Sequence, residues 1–226
     1  MIGIDCSRLP IRADRSIWSY RKVQRVVSTI IRGRRAFISP PQRGGYLDVG
    51  CGSNIRDDFC DLDYDWKPGV DICWDIRKPL PIEDNYIGGI YSEHCIEHID
   101  FEDGRRLASE FFRIMTQGAY VRIVVPDGEL YMLQYCEHLK GSSLKMPYSE
   151  ADSVAGIYTP MMSINRIMRA HGHRFIYDFE TLRAVLADVG FREIQRRTFG
   201  EGADARLLID TPSRIIESLY VEARKA

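Results

Sequence analysis

Short apolar runs alternate with longer amphipathic stretches along most of the chain that follows Pro40 and Pro41. Apolar runs of about four to eight residues between turn residues predict strands, whereas apolar positions at i, i+3 and i+4 predict helices. The predicted strands are residues 46–49, 59–62, 70–74, 87–91, 120–125, 191–199 and 219–223. The predicted helices are residues 107–115, a segment near 163–170, and residues 178–189. This alternation predicts an α/β domain with a mostly parallel sheet.

Two parts of the chain depart from this alternation. Residues 130–175 are rich in Met, Tyr and Ser and lack a clear period over most of their length, so we expect a lid-like insertion that faces the acceptor. Residues 1–44 are predicted to form a basic N-terminal helical extension, ahead of one domain that spans residues 45–226. The sequence contains no internal repeat.

The charge of the extension differs from that of the whole chain. Residues 1–45 carry ten Arg and Lys against two Asp, 10 − 2 = +8, whereas the chain has a formal net charge of −1. Apolar residues recur in this stretch at helical spacing, namely Ile17, Tyr20, Val23, Val27, Ile30 and Ile31. Such a helix can bind an anionic membrane surface or a polyanionic acceptor, and it can equally pack its apolar face on its own domain. Both interpretations stay open at this point.

The composition of the chain limits the cellular compartments in which we expect the protein. No apolar run approaches the roughly 20 residues that span a membrane, and the charged N-terminus is unlike a signal peptide. Six cysteines are scattered without a CxxC pair, a pattern typical of reduced cytosolic thiols and unlike a structural zinc site. We therefore expect a cytoplasmic protein whose basic extension allows peripheral association with the inner face of the membrane. The oligomeric state does not follow from the sequence.

Closely spaced glycines follow the first predicted strand directly. Gly50 and Gly52 allow the backbone to approach a ligand, and Asp61 and Asp63 follow about 11–13 residues after the turn. A dinucleotide-binding fingerprint needs a third glycine where this chain has Ile55, and an acid about 20 residues further on. The spacing therefore favours a ligand that has a ribose but no pyrophosphate.

The segment LDVGCG at this turn resembles the first motif of the class I S-adenosylmethionine (SAM) dependent methyltransferases. The similarity continues, in order, through DIRKPLPIEDNYIGGIYSEHCIEHI, EFFRIMTQGAYVRIVVPD, HRFIYDFETLRAVLADVGF and SLYVEARK. The pattern is similar to a bacterial subgroup associated with surface-glycan and other small-molecule biosynthesis. The resemblance implies a Rossmann-like, seven-stranded, mostly parallel sheet with helices on both faces and an antiparallel last strand beside the fifth. It also implies SAM as cofactor and O-methylation of a saccharide or other small-molecule hydroxyl.

The resemblance also assigns cofactor-binding positions. They are Asp48, Gly50, Cys51, Gly52, Asp63, Asp75, Ile76, Ser92 and Glu93. Asp48 and the glycines would line the methionine end of SAM, and Asp63 would hold the ribose hydroxyls. Asp75 and Ile76 would meet the adenine, while the end of the fourth strand would lie beside the sulfonium. One position departs from the family pattern, since many relatives have glycine where this chain has Asn54.

A general base is needed to take the proton of the acceptor hydroxyl. The candidates are His94, His98, Asp127 and His173. An imidazole pKa near about 6.5 suits this task at neutral pH, and His94 is favoured because it is nearest the end of the fourth strand. Each candidate also has a structural interpretation, such as packing beneath the sheet for His98 or a polar loop for His173. SAM already supplies an activated leaving group, so we expect no metal.

Two rival functions remain. The residues His94, Glu97 and His98 match H-x-x-E-H, an inverted zinc-protease signature in which both histidines would lie on one helix face. That interpretation is disfavoured because the motif follows a buried strand at the expected cofactor edge of the sheet. A nucleic-acid methyltransferase would need an extended basic surface, which the N-terminus could provide. An NPPY-type motif for reading amides is missing, so a nucleic-acid acceptor is also disfavoured.

Overall fold

The structure is a computed structural model that describes residues 15–33, 39 and 41–226, without the side chains of residues 15–22 and 33. Predictions that concern the remaining N-terminal residues lie outside the described part. Seven strands form one sheet, namely β1 Tyr46–Val49, β2 Phe59–Asp63, β3 Ile72–Cys73, β4 Ile87–Glu93, β5 Met115–Pro126, β6 Arg192–Arg197 and β7 Ser218–Arg224. Five α-helices accompany them in the described residues: α1 Arg15–Gly33, α2 Phe101–Ile114, α3 Gly128–Leu139, α4 Pro160–Arg169 and α5 Phe179–Val189.

The strand order explains where a ligand can bind. The order is β3-β2-β1-β4-β5-β7-β6, with β1 to β5 parallel and β7 antiparallel to both of its neighbours. The chain therefore leaves β1 in one direction for β2 and returns on the other side for β4. Crevices form at such switch points, beyond the carboxyl ends of the strands. The predicted fold class, a Rossmann-like sheet with an antiparallel last strand beside the fifth, is confirmed.

Alternating residues of the central strands face the two sides of the sheet. Ile90, Ile123 and Val221 pack in the main core with α2 and α5, while Tyr91 and Val124 pack in a smaller core on the other side. Because both sides are covered, the inner strands are apolar over most of their length.

A buried ion network fixes the chain segment 198–210 on the smaller core. Arg122 of β5 is 0% exposed, and its Nη2 donates to Asp210 Oδ2 at 2.6 Å. Its Nη1 lies 3.3 Å from Glu222 Oε1 of β7 and donates to the Glu201 carbonyl, its Nη2 also donates to the Thr198 carbonyl, and its Nε donates to Asp210 Oδ1. The guanidinium therefore joins the sheet to the loop that precedes β7.

Three predicted elements differ from the observed ones. Strand β3 contains two residues, Ile72–Cys73, instead of 70–74. Helix α2 begins at Phe101 and ends at Ile114, and β5 starts at once, so Gly118 lies inside a strand with φ +83° instead of closing a helix. The insertion at 130–175 contains most of α3 and all of α4, and a small core of Tyr131, Met146, Ile164 and Ile167 holds them together.

Helix α1 packs against the β3 edge of the domain. The hydroxyl of Ser28, which is 0% exposed, accepts a hydrogen bond from the Trp66 backbone N–H at 2.8 Å, and Gln24 Nε2 donates to the Trp66 carbonyl at 3.2 Å. Val26 and Ile30 lie on its solvent side, 60% and 51% exposed. Within the described residues, no helix combines the length and the apolar character that crossing a bilayer requires.

Candidate active site

A cavity of about 800 Å³ opens at the carboxyl ends of β1, β2 and β4, where the strand order reverses. Eight of the nine sequence-predicted cofactor residues line it, namely Asp48, Gly50, Cys51, Gly52, Asp63, Asp75, Ile76 and Glu93. His94 and His98 line the same cavity. Residues that come from four different strand ends are therefore brought together in one place.

The two glycines of the turn have different surroundings. Both have positive φ, +79° at Gly50 and +57° at Gly52, where a side chain strains the backbone. A Cβ at Gly50 would lie 2.5 Å from Cys95 Sγ, so this glycine allows the turn to pack on the loop after β4. A Cβ at Gly52 would have only the Gly50 carbonyl oxygen, 3.9 Å away, as its near neighbour. Gly52 therefore faces open space, as close approach to a ligand requires.

Acidic side chains surround this turn. Asp48 is 2% exposed and lies 2.9 Å from Arg56 Nη1, and burial raises the pKa of its carboxyl to about 7 while Arg56 opposes the rise. Burial also raises the pKa of Asp63, whose Oδ2 accepts from the Gly52 N–H at 2.9 Å and whose Oδ1 accepts from the Asp65 N–H at 2.8 Å. The carboxylate at the end of β2 thus holds the glycine turn in place and attracts a cationic ligand to this end of the cavity.

The third strand end supplies Asp75 and Ile76. Both oxygens of Asp75 accept hydrogen bonds from Arg77, at 2.8 and 2.7 Å, and this pairing lowers the pKa of the Asp75 carboxyl. Asp75 is therefore ionised at neutral pH, and Arg77 lines the cavity beside it.

Histidines lie at the opposite end of the cavity, around a buried carboxylate. His94 follows β4 with φ +48°, and its Nε2 is 2.9 Å from Ser218 Oγ. Burial lowers the pKa of His94 to about 3, with a further contribution from Arg214, so its ring is neutral. Glu97 is 0% exposed, and burial raises the pKa of its carboxyl to about 8. His98 is half-buried, with its side chain 38% exposed.

Three predicted site residues lie outside the lining of this cavity. The Ser92 hydroxyl is buried and donates to the Val49 carbonyl at 3.0 Å, so it joins β4 to β1 instead of touching a ligand. Asp127 caps α3 through the Leu130 N–H at 3.2 Å and pairs with Arg196 at 3.2 Å. Its carboxylate is engaged in these contacts outside the cavity lining, so a role as base stays a prediction from the sequence.

His173 is the third residue outside the cavity lining. Its side chain is 6% exposed, and its Nδ1 lies 2.7 Å from the Ile167 carbonyl oxygen. Its Nε2 points at Glu97 Oε1, 4.0 Å away, so His173 reaches the site from behind the cavity wall. The adjacent His171 and Arg174 do line the cavity.

Sequence reasoning missed a wall of the cavity that comes from the loop before β7. Thr211, Ser213 and Arg214 line it, and the Thr211 N–H donates to Glu93 Oε1 at 2.9 Å. No local motif marks these residues, because the insertion of β7 between β5 and β6 brings them over the site. Arg56 was also missed, although its pairing with Asp48 places it on the cavity.

The zinc-protease interpretation requires a helix that does not form. Residues Ile96–His98 make a single turn of 3₁₀-helix, and His94 precedes it in the left-handed region. The two histidines therefore do not lie at i and i+4 on one α-helical face, as that signature needs.

A comparison with protein-family models and with curated protein sequences finds no match. Among solved structures, the chain is similar to a SAM dependent methyltransferase from Archaeoglobus fulgidus, with a TM-score of 0.53 and 19% identity over 92% of this chain and 99% of that one. It is also similar to a possible histamine N-methyltransferase from Thermotoga maritima, with a TM-score of 0.49 and 14% identity over 94% and 97% of the two chains. The likeness to the Archaeoglobus protein is one of fold, and the second likeness is too distant to add to it. The chain has the Rossmann-like methyltransferase fold.

Proposed function

We propose that the protein is a SAM-dependent methyltransferase that O-methylates a saccharide or other small-molecule hydroxyl. The observation that carries this proposal is the glycine turn after β1. Gly52 faces open space, and Asp63, Asp75 and Ile76 lie on the same cavity at the ends of the next two strands. This arrangement suits a nucleoside whose ribose meets a carboxylate, without a third glycine for a phosphate.

The charge of the cavity supports a cationic cofactor. Asp48 lies at the end that would receive the methionine part of SAM, whose ammonium and sulfonium are both positive, and Asp63 would bind the ribose beside it. A volume of about 800 Å³ lies within the range of roughly 300–1,000 Å³ for small-molecule sites. The histidine end, with Thr211 and Arg214, would then receive the acceptor, whose hydroxyls can bond to these polar side chains.

Positioning would supply much of the rate. A cavity that aligns the acceptor oxygen, the methyl carbon and the sulfur makes the transfer effectively unimolecular. The base remains the sequence-based prediction. His94 and His98 line the cavity as neutral rings, because burial lowers the pKa of both, to about 3 at His94, and this shift weakens them as bases at neutral pH.

Labelled-methyl transfer tests the proposal directly. Purified protein is incubated with methyl-labelled SAM and a fractionated bacterial extract, and the label is followed in saccharide, lipid, other small-molecule, protein and nucleic-acid pools. We expect label in the saccharide or small-molecule pool, in a linkage that resists amide- and amine-specific chemistry. Calorimetry with SAM and S-adenosylhomocysteine is run in parallel. Protein that binds neither compound at millimolar concentration would overturn the assignment of the cavity, and label confined to nucleic acid would overturn the acceptor.

A further inference from the structure

Three imidazoles converge on one buried carboxylate beneath the acceptor end of the cavity. Glu97 Oε1 lies 3.6 Å from His94 Nδ1, 3.9 Å from His98 Nε2 and 4.0 Å from His173 Nε2. Hydrogen bonds from N–H to oxygen measure about 2.7–3.2 Å, so these contacts are not hydrogen bonds. Neither Glu97 oxygen has a hydrogen-bond partner among the described residues. A buried carboxylate left in this way costs free energy unless something else binds it.

The imidazole rings of His94 and His173 each make a hydrogen bond through the nitrogen that faces away from Glu97. These bonds determine whether the nitrogen that faces Glu97 carries a proton. The Ile167 carbonyl oxygen can only accept, so His173 Nδ1 carries the proton and Nε2 presents a lone pair. Ser218 donates its single hydroxyl hydrogen to the Arg214 carbonyl at 2.8 Å, so it accepts from His94 Nε2–H. The Nδ1 of His94 then also presents a lone pair. The lone pairs of these two nitrogens therefore point at the Glu97 carboxyl group, and neither ring places an N–H donor between them.

Among the described residues, the arrangement lacks a cation that binds these atoms directly, since the Arg214 guanidinium opposes the rise that burial causes in the pKa of Glu97 without hydrogen bonding to it. A proton on Glu97 could satisfy one nitrogen, but at hydrogen-bond distance and not at 3.6–4.0 Å. Atoms bound to one Zn²⁺ at about 2.0–2.2 Å lie roughly 3–4 Å from one another. One ligand atom from each of Glu97, His98 and His173 lies within 4.8 Å of the other two. The carbonyl on His173 Nδ1 is also the usual second partner of a metal-bound imidazole.

We propose that Glu97, His98 and His173 bind one divalent transition-metal ion, with Zn²⁺ as the reference ion. Two imidazole nitrogens and one carboxylate suit zinc, iron or cobalt, whereas Mg²⁺ and Ca²⁺ prefer oxygen ligands alone. The assignment replaces our sequence-based expectation of no metal. It also differs from the H-x-x-E-H signature, in which His94 and His98 would be the ligands and Glu97 the base. In this site Glu97 is a ligand, and the third ligand comes from the loop before α5.

The position of the site suggests its use, and this step rests on the proposed function. His98 lines the cavity, and a site with three protein ligands leaves room for an oxygen of the acceptor. A hydroxyl bound to such an ion loses its proton more readily, and the proton passes to water. The acceptor oxygen then donates its electron pair to the methyl carbon of SAM. The carbon–sulfur bond breaks, its electron pair stays on sulfur, and S-adenosylhomocysteine leaves.

Metal binding can be measured without any methyl transfer. The full chain is stripped with a chelator, dialysed, and titrated with Zn²⁺ in a calorimeter. Elemental analysis then gives the bound ratio, and Co²⁺ gives a visible spectrum that reports nitrogen ligands. We expect one ion per chain. Glu97→Gln, which keeps the shape of the side chain, and His173→Ala should each weaken Zn²⁺ binding more than about 100-fold, since losing even an outer partner of a ligand costs about 10–100-fold.

A histidine outside the cluster provides a matched control. His138 is exposed on α3 and does not line the cavity. His138→Ala should leave Zn²⁺ affinity unchanged, and circular dichroism checks that every variant is folded. Folded wild type that binds no Zn²⁺ at micromolar concentration, or Glu97→Gln and His173→Ala variants that bind it as tightly as wild type, would overturn the site.

SAM affinity, measured in the same samples, separates this proposal from the function it rests on. His173 lies outside the cavity lining, so His173→Ala should bind SAM as the wild type does. Zinc bound at one ion per chain in a protein that binds no SAM would support the metal site and reject the proposed function. A protein that binds SAM but no zinc would reject the metal site and support the proposed function.

Discussion

Gly50 and Gly52 belong to one sequence motif, but each position requires glycine for a different reason. Gly50 allows close packing within the protein, and Gly52 leaves space for a ligand. The Cβ of an alanine at Gly52 would point into open space. Its cost in folding free energy is then only that of the left-handed backbone, roughly 1–2 kcal/mol. Its methyl group would still occupy the space that the cofactor needs. We therefore expect Gly52→Ala to weaken SAM binding by more than about tenfold while the protein stays folded. Calorimetry with SAM and thermal unfolding of the same sample measure both effects.

Gly50→Ala is the matched variant, because its Cβ would collide with Cys95. Overpacking adds to the backbone strain, so the free energy of unfolding should fall by about 2–5 kcal/mol. Equal losses of stability in the two variants would contradict this assignment. So would SAM binding that is unaffected in Gly52→Ala.

The pKa of Asp48 makes cofactor binding depend on pH. Burial raises this pKa to about 7, so the carboxyl of the free protein is mostly protonated at pH 6 and mostly ionised at pH 8. The ammonium of SAM favours the ionised form. Affinity should therefore rise roughly tenfold from pH 6 to pH 8 and level off above, since the ionised fraction follows the pKa. Calorimetry across this range measures it, and Asp48→Asn should remove most of the rise.

At the residue scale, the sequence predicted most of the residues that line the cavity beside the glycine turn. Strand ends and glycines are local features, so Gly52 and Asp63 follow from spacing, whereas Asp48 was assigned through the family resemblance. Ser92 was predicted to line the cavity but does not, because neighbouring residues of a strand face opposite sides. The strand end alone did not show which of Ser92 and Glu93 faces the cavity. Glu97 and its imidazoles could not be placed, since the cluster depends on how the loop before α5 packs against the turn after β4.

At the scale of elements, the buried network around Arg122 should be a large contribution to stability. Arg122→Met keeps much of the volume but leaves Asp210 buried without its guanidinium partner. Removing one member of a buried ion pair costs about 3–5 kcal/mol, so unfolding by denaturant should show a loss of that size. Arg105→Met on α2 is the control, because the Arg105–Asp188 pair is exposed and solvent screening leaves such pairs little effect on stability. Similar losses in both variants would count against a structural role for the network.

The elements that the sequence missed share a physical cause. Helix α3 buries only Tyr131 of its twelve residues, so it lacks the apolar stripe by which a helix is recognised. Strand β3 is short because only Ile72 and Cys73 pair with β2, which an apolar run cannot reveal. Strong β-branched runs such as the one in β5 were predicted well, since burial on both sides demands them.

At the scale of the whole molecule, helix α1 has one side packed on the domain and one side exposed to solvent. Its contacts with Trp66 support packing on the domain, while Val23, Val26 and Ile30 stay exposed beside Arg25. Association with an anionic membrane stays a prediction from the basic N-terminus. We expect flotation with anionic vesicles at low salt and release at high salt, because exposed charges are screened beyond about 10 Å at 0.1 M.

A surface variant tests whether the apolar side of α1 takes part. Replacing Val23, Val26 and Ile30 together with serine should reduce flotation at low salt without changing SAM affinity, since these side chains are exposed and none of them lines the cavity. Thr29→Ala, an exposed polar position on the same helix, is the control. Flotation with uncharged vesicles to the same extent would argue against an electrostatic attraction.

The position of β7 has a consequence for synthesis on the ribosome. Because β7 lies between β5 and β6, the edge strand β6 has no partner until residues 218–224 have emerged. Thr211 and Arg214 precede β7 closely, so the cavity wall that they form is also completed at that moment. A nascent chain therefore leaves one edge of β5 unpaired from the emergence of Pro126 until β7 emerges, and partly folded chains of this kind are prone to aggregate.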